Sequence, residues 1–173
     1  MPLAWEVVAV QFGYIGLRLR ERFGNTGLLM IGLLGAINIP FEAALLRAWA
    51  NARLERYADA LKELDHVVRI RPPLESYARA FRERAWFLAT CRDASFRNGQ
   101  QALQDGKTAC KLTNWTDESA IDTLAVAYAE VGDFNSAVRY AQQALATKGI
   151  TSADAKKIQR HLESFQQRKP IRV

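Results

Sequence analysis

Two runs of helical period, Asp122–Val131 and Phe134–Leu145, stand only a glycine and an aspartate apart. In the first run Leu124, Ala125 and Tyr128 share one apolar face. In the second, Ala137, Tyr140, Ala141, Ala144 and Leu145 do the same. Gly132 follows the last periodic residue of the first run, where helices commonly end on a left-handed glycine. Asp133 or Asn135 can cap the next helix. So short a link folds the two helices back antiparallel. Helices approach closer than the usual ~8–10 Å only where the side chains between them are small. The alanines are therefore the contact, and Tyr128 and Tyr140 fill the space around it.

Such a pair cannot bury both its faces alone, which predicts repetition. Ala60, Ala102 and Ala137 are equivalent second-helix positions, and Ala48, Ala89 and Ala125 are the matching first-helix positions. The interval is roughly 35 to 42 residues, near the ~34 of one well-known helix–turn–helix repeat. Helices are expected near 41–53 and 56–70 (broken by Pro72 and Pro73), 75–91 and 99–113, and 117–131 and 134–147. A last helix starts after a Ser152 cap. Its apolar face is Ala155, Ile158, Leu162 and Phe165, and its opposite face is charged, as a terminal capping element requires.

On these residues the chain resembles the tetratricopeptide repeat (TPR) family, in a divergent bacterial-type subgroup often attached to larger signalling or membrane proteins. The match is best at Leu124, Ala125, Tyr128, Gly132, Ala137, Ala144 and Leu145, and fair at Tyr57, Ala60 and Pro72. The middle repeat departs from the pattern: its inter-helix loop is longer and Gly106 stands where a larger residue is usual. The resemblance implies an all-α, TPR-like α-solenoid of about three antiparallel helix pairs with a C-terminal capping helix over residues 41–168, followed by a tail at 169–173. It also implies a concave groove lined by the first helices that takes a protein or peptide. By repeat register the groove residues are Trp49, Glu83, Trp86, Thr90, Asp122, Val126 and Glu130, with Leu45 and Ser119 alongside. Chaperone-tail-binding members clamp a terminal carboxylate with Lys, Asn and Arg at such positions. Those residues are missing here, which disfavours that function.

Residues 1–40 differ in kind. "LAWEVVAVQFGYIGL" and "GLLMIGLLGAINIPF" are apolar and glycine-rich, separated by a charged stretch. A helical span needs about 20 apolar residues to cross a core of about 30 Å, and the second run has only about 15. Yet Gly27 to Ile37 carries no polar side chain, so as a helix it needs burial on every side. Gly27, Gly32 and Gly35 favour close helix contacts in lipid. The expectation is a membrane anchor or shallow hairpin, with the repeats in the aqueous phase. The competing reading is a soluble, cytoplasmic chain in which this segment is a packed cap or an oligomerisation surface.

The 173 residues are 49% hydrophobic and 24% charged, which excludes a disordered tail. The net charge of +6 is spread along the chain. An RNA-binding helical face, which needs clustered basic residues, is therefore the less favoured alternative. No phosphate-binding loop or nucleophile elbow is present, so the chain reads as non-enzymatic, with no cofactor. His66, His161, Cys91 and Cys110 have no zinc spacing, and no metal is expected. The two cysteines read as buried hydrophobes at opposite helix ends, too far apart for a disulfide. What the residues support is a protein-interaction scaffold.

Overall fold

The computed structural model of this protein describes residues 40–70 and 74–173. The chain divides into two compact units, Met1–Glu42 and Ala43–Val173. Apart from the first residues of one helix, everything below belongs to the second unit. The apolar segment before residue 40, and Pro72 and Pro73, lie outside the described residues.

The described residues form seven α-helices and no strand: α1 (40–53), α2 (Tyr57–Ile70), α3 (Leu74–Thr90), α4 (Gly99–Leu112), α5 (Glu118–Glu130), α6 (Phe134–Leu145) and α7 (Ser152–Gln166). A single 3-10 turn, Ala94–Phe96, sits in the α3–α4 loop, where the sequence shows only extra length. Each helix from α2 onward packs on the next, and the odd-numbered helices also touch in series, α3 on α5 and α5 on α7. This packing is consistent with a helical repeat. Among the described residues no helix is long and apolar enough to cross a membrane.

Local chemistry sets the boundaries. Asn98, Asp117 and Asp133 each accept a backbone N–H of the following first turn, which would otherwise lack a partner. At α7 the cap is Thr151 rather than Ser152: its hydroxyl accepts from the Asp154 N–H at 3.1 Å. Four C-terminal ends share one device. A residue with positive φ lets the next N–H reach back five residues: Arg56 to Asn51 O, Trp115 to Cys110 O, Asp133 to Tyr128 O and Lys169 to Ser164 O, all at 2.8–3.0 Å. Only Gly132 (φ 84°) is a glycine; Glu55, Asn114 and Arg168 adopt the same turn with a side chain. That conformation costs an ordinary residue roughly 1–2 kcal/mol, so only Gly132 advertises the turn in advance.

The alanine contact is as the spacing predicts. Ala125, Ala137, Ala141 and Ala144 are fully buried, and Tyr128 stacks on Tyr140 with ring centroids 5.2 Å apart. Helix α5 goes further than one apolar face: nine of its thirteen residues are buried, because α3, α4, α6 and α7 all pack on it. Gly106 has its own reason. A Cβ there would lie 3.2 Å from the Leu124 Cα, so the missing side chain is what lets α4 rest on the backbone of α5.

Candidate functional site

The odd-numbered helices present side chains to a shared groove. Trp49 from α1, Arg82, Glu83 and Trp86 from α3, Ser119 and Thr123 from α5 and Lys157 from α7 line a cleft of about 180 Å³. Four elements far apart in sequence supply it, with α3, α5 and α7 packed in series. Both tryptophans are half-buried and line the cleft. Glu83 is held by Arg82 at 2.9 Å and Arg79 at 3.8 Å. Arg82 in turn reaches the α5 cap Asp117 at 3.4 Å. The Lys157 ammonium sits 5.8 Å above the Trp86 ring, within cation–π range.

Beneath this cleft lies a polar pair that sequence reasoning misses. Asp122 is fully buried, and both its oxygens are 3.0 Å from Nδ1 of His161. A carboxylate only accepts, so Nδ1 carries the hydrogen and donates. Lys157 adds a longer approach of 3.9 Å, and the His161 ring packs 5.6 Å from Trp86. The pair fastens α7 to α5 and supports Trp86 from below. The signal was present: His161 lies between Ile158 and Phe165 on the apolar face of α7.

The seven groove positions expected from register therefore separate. Trp49, Glu83 and Trp86 meet in the cleft. Asp122 and Val126 are buried and offer a partner no surface: α3 and α7 both pack on α5, and His161 of α7 lies on Asp122. Thr90 is also fully buried, its hydroxyl donating to the Trp86 carbonyl at 2.8 Å. Glu130 lies at the far end of α5, bonded by Arg97 at 3.0 Å and approached by Arg172 at 2.7 Å. Leu45 is buried, and Ser119 reaches the cleft.

A second polar cluster does structural work elsewhere. Arg84 forks onto Asp105 of α4 at 2.7 and 2.9 Å and reaches Asp65 of α2 at 2.8 Å. Gln101 donates to Asp105 at 3.0 Å. Burial works against the Arg84 charge, but the two carboxylates outweigh it and leave its pKa above the ordinary value. One guanidinium thus ties three helices.

Cys91 and Cys110 are unpaired and buried, and burial pushes the Cys110 thiol up to about 12. That value removes thiolate chemistry at neutral pH. Among the described residues no group of three or more His, Cys, Asp or Glu could hold a metal ion. Comparison with protein-family models, with curated proteins and with solved structures gives no match.

Proposed function

We propose that this chain is a non-enzymatic, TPR-like interaction module that holds a protein or peptide partner in the groove of its odd-numbered helices. One observation carries the reading: residues from α1, α3, α5 and α7 line a single cleft, with Trp49 and Trp86 half-buried in it. Tryptophan is among the side chains enriched where a few residues carry most of the binding energy. Residues 1–40, by composition, tether the module to a membrane, and the repeats work in the aqueous phase.

The test is a peptide-display selection against the full chain. Selected peptides should lose at least about ten-fold in affinity to Trp86→Ala and Trp49→Ala, as hot-spot truncation predicts. They should be indifferent to Gln142→Leu, an exposed position on α6. If no selected peptide responds to either tryptophan, the groove is not the working surface. Cell fractionation separates the tethered reading from a soluble scaffold with a packed N-terminal cap: membrane-pool recovery that disappears when residues 1–40 are deleted supports the tether.

A further inference from the structure

Residues 169–173 do not trail into solvent. The chain leaves α7 through Arg168 and turns back, without helix, across the C-terminal ends of the odd-numbered helices. Arg172 Nη1 donates to the Ala89 carbonyl at 3.2 Å, and the Val173 N–H donates to the Thr90 carbonyl at 3.1 Å. Arg172 Nη2 lies 2.7 Å from Oε2 of Glu130, an ion pair by distance whose angles fall short of a hydrogen bond. Ala89 and Thr90 are the last residues of α3, whose carbonyls have no partner within the helix. Arg172 and Val173 also wall a cleft of about 560 Å³ with Trp49, Tyr57, Phe87 and Cys91.

Two of these contacts fall on Thr90 and Glu130, the positions that repeat register assigns to partner binding. A non-helical segment of this chain is thus seated on the Thr90 backbone carbonyl and on Glu130. Its hold is light. Val173 is 52% exposed and the Arg172 side chain 34%; Lys169 is tied to Ser164 and Pro170 and Ile171 are half-buried, but beyond them one guanidinium and one N–H make the attachment. The last two side chains stay exposed, whereas Phe165 of α7 is buried.

We propose that the surface formed by the end of α3 and Glu130, at the edge of this cleft, binds an extended peptide bearing an arginine followed by an aliphatic residue, and that residues 169–173 hold that place in cis until a partner of that pattern displaces them. This rests on the reading of the module as a peptide binder and supplies the partner's chemistry. Glu130 selects the arginine by charge, already positioned by Arg97. The Ala89 carbonyl gives the guanidinium a second acceptor, and the Thr90 carbonyl takes a backbone N–H of the residue that follows. The aliphatic side chain borders the open cleft that Trp49, Tyr57 and Phe87 also line, as Val173 does here. A tethered competitor acts at an effective concentration on the order of millimolar, so a free peptide binds the intact chain weakly.

The probe is a fluorescein-labelled Lys-Pro-Ile-Arg-Val peptide, amidated so that no terminal carboxylate contributes, read by anisotropy on the full chain. Arg172→Ala, which unlocks the segment, and deletion of residues 170–173 should each bind the probe at least about ten-fold more tightly than the wild-type chain. A probe with Glu in place of Arg should not bind, and adding Glu130→Gln to Arg172→Ala should remove the gain. A second measurement needs no variant: millimolar unlabelled probe should speed amide exchange of residues 169–173 in the wild-type chain. If both variants keep their melting temperature yet bind no better than wild type, the segment is a helix cap and the inference fails. It fails equally if the variants unfold and the probe leaves wild-type exchange unchanged. If display-selected peptides still depend on Trp86 while the probe does not bind, this inference alone falls; if neither class binds, the interaction reading falls with it.

Discussion

The α5–α6 pair and the α3–α4 pair have the same architecture and are held by different physics. Between α5 and α6 the contact is a row of fully buried alanines beside stacked tyrosines. Between α3 and α4 alanines recur, but the pair also carries Arg84, half-enclosed and forked onto an Asp105 that is only 2% exposed. Gly106 on α4 spends its missing side chain on the next helix, α5. A short turn through Gly132 closes one pair, while a loop with a 3-10 turn and the Asn98 cap closes the other. The lesson is that a repeat specifies the path of the backbone, and several kinds of side-chain chemistry can hold that path. Apolar close packing leaves a readable period, whereas a polar staple looks like ordinary surface charge until the fold brings its members together.

The sharpest way to break the comparison is to remove the staple. Arg84→Met leaves the Asp105 carboxylate buried without its cation, and breaking one side of a buried pair typically costs about 3–5 kcal/mol. Because Arg84 also keeps some solvent contact, the lower end is expected, and denaturant unfolding would measure it. A change near zero would mean that apolar packing holds both pairs alike.

Overpacking comes next. Ala137→Leu should cost about 1–3 kcal/mol by forcing a close contact apart. Gly106→Leu should cost as much or more, because the obstacle at 3.2 Å is backbone. Gln142→Leu, on the exposed face of α6, should stay within about 0.5 kcal/mol. Equal melting temperatures for the three variants would refute the assigned helix register.

The smallest effect distinguishes the two caps. Asn98→Ala should cost about 1 kcal/mol at any pH, since an amide cap does not titrate. Asp133 caps α6 with a carboxylate that the Ser136 hydrogen bonds hold below its ordinary value of 3.8. A lowered folded value means that this contribution is complete above the unfolded value and disappears as the pH falls through the folded one. Amide exchange in the first turn of α6 should therefore accelerate on acidification below about 3.8 relative to the first turn of α4, after correction for intrinsic rates. Parallel behaviour of the two helix starts would show that the Asp133 cap contributes nothing local.

By itself, the sequence determined the number, type and approximate bounds of the helices from α1 to α7. It did so because apolar period, capping residues and Gly132 act within a few residues of themselves, and local backbone chemistry needs no distant partner. The alanine contact was legible for the same reason: small residues at helical spacing mean close approach wherever the neighbour comes from. Of the groove, Trp49, Glu83 and Trp86 could be placed from register alone. Tertiary structure decided the rest. Whether Asp122 and Val126 face a partner depends on where α3 and α7 lie, and no spacing within α5 states that. The Asp122–His161 pair joins residues 39 apart, and Arg84 gathers carboxylates from two other helices, so each acquires its meaning only when the chain closes. Residues 169–173 read as a plain tail because their partners are a carboxylate on α5 and the open carbonyls ending α3, groups that any residue type could follow in sequence and that only the folded backbone brings within reach.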